Sequence, residues 1–233
     1  MASFFPLSSF EWEALNLSLS VALRSVAFSL PLAIGVAWLL TRRRFPGRML
    51  FDAAVHLPLV LPPVVVGYLL LVLFGTRGPL GGWLKHAFGI ELVFTRAGAA
   101  LATAVMSFPL MVRAIRISLE HVDRGLEEAA RTLGAGPLDR FLTITLPLMS
   151  PGVLAGAVTA FAAGLGEFGA VITFVSNIPG ETRTLPLALY TALQMPDGDA
   201  IAARLALISF SLGALGLLAA EGVSRGARRR LGG

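Results

Sequence analysis

The 233-residue chain is 55% hydrophobic, only 14% charged and has a mean hydropathy of +0.77, which is too apolar for a soluble domain and places it in a bilayer. Its formal charge of +5 comes almost wholly from arginine, which in such a chain sets membrane orientation and implies no nucleic-acid partner. The absence of cysteine excludes disulfides, thiolate metal sites and cysteine nucleophiles.

Residues 1–14 contain Glu11 and Glu13 but no basic segment ahead of an apolar core, so a cleavable signal is not expected. A membrane-spanning helix needs about 20 mostly apolar residues. Five runs approach that length: 15–40, 53–74, 97–112, 152–175 and 202–220. The expected fold is an all-α integral membrane protein forming one transmembrane domain over residues 1–233.

Several residues within the runs are conspicuous. Arg24 lies inside the first, toward its outer end, where it either snorkels to the interface or faces a pathway. Pro31, Pro58, Pro62, Pro63 and Pro109 each remove a backbone donor and bend a helix. The cluster Pro58, Pro62 and Pro63 implies irregular backbone at membrane depth, which tends to line transport pathways. Glu167, in Gly166-Glu167-Phe168-Gly169, places an acid inside the fourth run. We expect it to pair with a basic group or backbone donors and to steady a gate, its flanking glycines allowing close helix approach. His56, at the inner end of the second run, reads as an interfacial hydrogen-bonding group.

Arginine assigns the sides. Arg42, Arg43, Arg44 and Arg48 follow the first run; Arg113, Arg116, Arg124, Arg131 and Arg140 lie between the third and fourth; Arg225, Arg228, Arg229 and Arg230 follow the fifth. The remaining loops hold only Arg77, Lys85 and Arg96, then Arg183 and Arg204. The N-terminus is therefore outside and the C-terminus in the cytoplasm.

The most informative cytoplasmic segment spans about 120–147. Leu126, Ala129, Ala130 and Leu133 recur at the spacing of one helical face, with Glu127, Glu128 and Arg131 on the others. Asp123 suits the N-cap, acids suit the first turn, and Gly134 suits the left-handed residue that closes a helix. Pro137 can open a second helix, with Leu138, Phe141 and Leu142 on one face, which Pro147 is expected to end. Two short helices meeting at a glycine corner make either a docking device or an amphipathic element lying in the headgroup layer, which composition alone favours.

The order Glu128-Ala129-Ala130, Gly134, Ile144, Leu146-Pro147, with gaps of three, nine and one, resembles the cytoplasmic signature loop of bacterial ATP-binding-cassette importer permeases. The resemblance implies that this coupling element seats in a groove of a separate ATPase subunit. Glu128 and Arg131 would then make polar contacts, Ala129 and Ala130 would permit close packing, and Gly134 would set the corner. No G-x-x-x-x-G-K-[ST] loop occurs in the chain, so ATP is expected to be used by that partner, with no cofactor held here.

The segments 56–68, 106–116, 165–169 and 173–184 resemble the molybdate permease branch of the same family. That resemblance implies an extracytoplasmic molybdate-binding protein, a second permease copy forming a homodimer, and residence in the bacterial cytoplasmic membrane. A carboxylate repels a dianion, so Glu167 is not expected to ligate the cargo directly. Sulfate and tungstate permeases are the near alternatives, and a secondary transporter is the more distant one. The latter should show paired broken helices in two related halves, and no internal repeat is evident. An embedded enzyme would need a nucleophile, metal cluster or paired acids close together, which isolated Glu167 does not supply.

Overall fold

The computed structural model describes residues 7–231, which are helical with connecting turns; side chains beyond Gly222 are described only at Arg225. The side chains of Arg228, Arg229 and Arg230, part of the charge pattern that assigns the sides, lie outside that description. Four helices are long and apolar enough to cross a membrane, or five if one bent pair is counted as a span.

The first span is α1 (Ser9–Arg42), opened by a capping box between Ser8 and Glu11 and running through Pro31. The second run is not one straight helix. It divides into α2 (Arg48–His56), a 3-10 turn at Leu57–Leu59 and α3 (Pro63–Phe74), bent by 113°. Pro58, Pro62 and Pro63 each lack an amide donor, so the helical ladder cannot pass. At 12 residues, α3 is about 18 Å long and crosses only part of a bilayer. A short surface helix, α4 (Pro79–Phe88), leads to α5 (Arg96–Glu120), the central span.

The cytoplasmic element follows as α6 (Arg124–Thr132) and α7 (Pro137–Arg140). Pro147 does not end the second helix as expected. A π-helical stretch, Phe141–Thr145, carries α7 into α8 (Leu146–Leu165), giving one 29-residue helix from Pro137 to Leu165. The widened turn, in which Leu146 N donates to Phe141 O, accommodates a ring that would otherwise strike the preceding turn.

The run 152–175 is likewise divided. Helix α8 stops at Leu165, Gly166–Phe168 is a break, and α9 (Gly169–Val175) follows as two turns. Then α10 (Leu185–Ala192) leads into α11 (Asp199–Leu231), the last span.

Helix α5 packs against α1 and α8, and α11 against α8. Close approach depends on a small-residue stripe along α8. Gly152, Gly156, Ala160 and Gly164 recur every four residues, and a Cβ at Gly152 would stand 2.2 Å from Ser118 Cβ. In lipid, where apolar burial drives helices together weakly, such contact supplies much of the attraction.

Charge separates along the bundle as the arginine pattern requires. Arg42, Arg43, Arg44, Arg48 and Arg124 line one cavity at the cytoplasmic end. At the other end Arg204 pairs with fully buried Glu11 at 2.6 Å, Arg96 with Glu181 at 3.5 Å and Lys85 with Glu91 at 2.7 Å. His56 Nδ1 lies 2.9 Å from Asp52 O, and Arg116 pairs with the same aspartate at 2.7 Å.

Candidate coupling element and pathway

Local chemistry sets the glycine corner. Asp123 accepts from Gly125 N at 2.8 Å and opens α6. At the other end Gly134 N donates to Arg131 O at 3.1 Å and Ala135 N to Ala130 O at 3.0 Å, the paired bonds of a Schellman closure. Gly134 holds φ at +90°, where a Cβ is strained, and has open space around it.

Helix α6 is seated through one acid, Glu127. Glu127 Oε1 accepts from Arg42 at 3.0 Å and from Thr145 Oγ1 at 2.8 Å, while Arg42 also donates to Val122 O at 3.3 Å. The leucines face away: Leu126, Leu138 and Leu142 are exposed and Leu133 is 88% exposed. A surface helix of a soluble domain would bury its leucines, whereas α6 buries no residue and turns only Glu127 and Ala130 partly inward. The arrangement presents an apolar strip for something else to cover.

The signature residues lie on or beside this strip. Glu128, Ala129, Arg131, Gly134 and Pro147 are exposed, whereas Ala130, Ile144 and Leu146 are half-buried. Glu128 and Arg131 form no ion pair among the described residues. The sequence did not mark Glu127, Arg42 and Thr145 as the anchor. Glu127 and Arg42 are 85 positions apart, and only a pairing of α1's last turn with α6 could have revealed them.

Glu127→Ala should release α6 while sparing the bundle. The α6 amides should lose about 1.5–3 kcal/mol of protection, the worth of hydrogen bonds to a charged group. Hydrogen exchange would measure this, and unchanged protection would reject the anchor.

The two helix breaks meet. A Cβ on Gly169 would lie 2.7 Å from Pro63 Cβ, so the Gly166–Phe168 break abuts the Pro58–Pro63 turn. Above them α3 and α9 run in close contact: a Cβ on Gly67 would stand 2.7 Å from both Ala170 O and Thr173 Cβ. Half-buried Glu167 accepts from Ala170 N at 2.9 Å and holds the first turn of α9. Of the two partner types expected for it, the backbone donor is present; no basic group lies within ion-pair distance among the described residues. Phe168 packs on Tyr190 with ring centroids 5.4 Å apart. Pro62, Pro63 and Gly166 are exposed beside this junction.

Arg24 stands apart. It is exposed on α1 beside exposed Leu23 and Phe28 and forms no ion pair among the described residues. It stands near the middle of the 34-residue α1, so a lean toward the N-terminal end shortens but does not close its distance to the outer interface.

On the outer side, residues 176–184 are tied down. Thr182 Oγ1 donates to Ser176 O at 2.9 Å and accepts from Ile178 N at 2.8 Å; Arg183 donates to Asn177 at 3.0 Å; Leu185 N donates to Ser18 Oγ at 2.7 Å. This outer segment is thus bonded to itself and to α1.

A multi-pass bundle with broken helices and an outward-turned cytoplasmic corner defines a transport permease. Residues 29–229 match the binding-protein-dependent transport system inner membrane component, and the chain belongs to that family of inner-membrane proteins. It is 60% identical over 222 residues to the molybdenum transport system permease protein ModB of Escherichia coli K12, covering 95% of this chain and 97% of that one. Identity to ModB of Haemophilus influenzae is 55% over 222 residues, again 95% of this chain and 97% of the relative. The sulfate transport system permease protein CysT of E. coli K12 is 42% identical over 173 residues, covering 74% of this chain and 62% of CysT. Among solved structures, a bacterial ABC transporter involved in import of the acidic polysaccharide alginate aligns with a TM-score of 0.68 at 17% identity. The alignment covers 96% of this chain and 80% of that one, and carries the fold alone.

Proposed function

We propose that two copies of this chain form the membrane pathway of a molybdate importer, driven by a separate ATP-hydrolysing subunit and supplied by an extracytoplasmic binding protein. The observation that carries the coupling role is the seat of α6, with Glu127 held inward by Arg42 and Thr145 while the leucine strip stays exposed. A headgroup-bound helix would also expose leucines. The full signature spacing, the Gly134 corner and continuity with α8 favour a protein groove.

Continuity supplies the mechanism. The 29-residue helix from Pro137 to Leu165 is about 44 Å long and joins the docking corner to the Gly166–Phe168 break. When nucleotide-driven closure of the partner shifts the corner, α8 transmits that shift along its small-residue contact with α5. Packed interfaces are bistable rather than continuously deformable, so the break takes up the motion as a switch between inward-open and outward-open states. In this reading Glu167 and the Pro62–Pro63 turn steady the gate, and the chain carries no catalytic group or cofactor of its own. ATP chemistry belongs to the partner.

The molybdate assignment rests on the ModB relatives, whose identity exceeds that of the sulfate permease and extends over nearly the whole chain. Reconstitution with the ATPase and binding protein tests it. Molybdate should stimulate ATP hydrolysis more than sulfate at equal concentration, with tungstate as the isostere control. Stimulation by sulfate alone would overturn the assignment.

A further inference from the structure

We propose that the arginine-lined cavity at the cytoplasmic end of α1 binds a phosphate-type oxyanion group, carried by an anionic lipid headgroup or by free phosphate. The cavity measures about 920 Å³ and lies where α1 ends, between α2 and the turn that opens α6. Arg42, Arg44, Arg48 and Arg124 line it, with Arg43 held over the Trp38 ring at 5.4 Å. Arg42 is neutralised by Glu127. Arg44, Arg48 and Arg124 form no ion pair among the described residues. The acids on the wall are Glu120 and Asp123, and Asp123 is engaged as the cap of α6. Positive charge therefore remains in excess.

A group with several acceptor oxygens would balance the surplus charge of these unpaired guanidinium forks, whose geometry it matches. Because Arg42 also anchors Glu127 and Arg124 begins α6, the bound group would brace the seat of the coupling element. The inference does not depend on which cargo is carried.

The test uses the intact permease–ATPase complex in phosphatidylcholine nanodiscs, with phosphatidylglycerol or inorganic phosphate as probe. Wild type should retain phosphatidylglycerol in native mass spectrometry. The double variant Arg44→Gln, Arg48→Gln should bind it about 30-fold more weakly, which converts to about 1 kcal/mol for each arginine at an anionic surface. Arg113→Gln, which removes a charge on the same side outside this cavity, should not. Retention of lipid names the headgroup as the source, whereas a phosphate-dependent rise in Tm that the double variant loses names the free oxyanion. Equal binding of both probes by wild type and the double variant would overturn the site, as would an equal loss in Arg113→Gln.

Discussion

Gly134→Arg should insert and fold with the wild-type bundle, yet reduce cargo-stimulated ATP hydrolysis by the reconstituted transporter about tenfold or more. Two effects combine. The φ of +90° at Gly134 costs a residue with a Cβ about 1–2 kcal/mol, enough to shift the corner away from its closed form by about tenfold. The new side chain also projects beside Leu133, from the surface proposed to enter the ATPase. Open space around Gly134 means that the isolated permease has nothing to clash with, so its Tm should fall little. Pull-down of the ATPase by the variant separates failed docking from failed transmission. Full stimulation in the variant would remove the coupling assignment.

What could be read from the sequence was what is decided locally. Asp123 and Gly134 bound α6 through short-range bonds, so capping rules located them. Pro58, Pro62 and Pro63 announced irregular backbone because a missing amide acts wherever it stands. Hydropathy nevertheless counted 53–74 and 152–175 as whole spans, since an average over apolar residues is blind to the direction of the chain. At Gly166–Phe168 the break depends on tertiary fit: α9 leaves the axis of α8 to lie on α3, where Gly67 and Gly169 admit it. Pro147 misled for the opposite reason. The local rule predicts a stop, but the π turn before it absorbs the ring and the helix continues. The Arg42–Glu127 anchor was hidden because it joins elements 85 positions apart, and nothing in the spacing distinguishes Glu127 from Glu128 as the inward acid.

The second large effect is expected at the meeting of the half-helices. Gly67→Ala should reduce uptake about tenfold or more while leaving membrane insertion and ATPase docking intact. The added methyl would sit 2.7 Å from Ala170 O, a backbone atom, and from Thr173 Cβ, so no flexible side-chain tip can turn aside. Relieving that overlap means moving α3 from α9, and overpacking of this kind costs about 1–3 kcal/mol. The cost falls on whichever gate state keeps the halves together, and about 1.4 kcal/mol changes the ratio of two states tenfold. Glu167→Gln should act at the same junction more mildly. Its amide oxygen can still accept from Ala170 N, exchanging a charge-assisted bond for a neutral one at a cost of about 1 kcal/mol. Both variants should retain basal ATP hydrolysis and lose response to the loaded binding protein, with Gly67→Ala the more severe. The order discriminates between two physical origins of gating. If Glu167→Gln abolishes uptake while Gly67→Ala transports normally, the gate depends on the carboxylate charge rather than on close packing of α3 with α9.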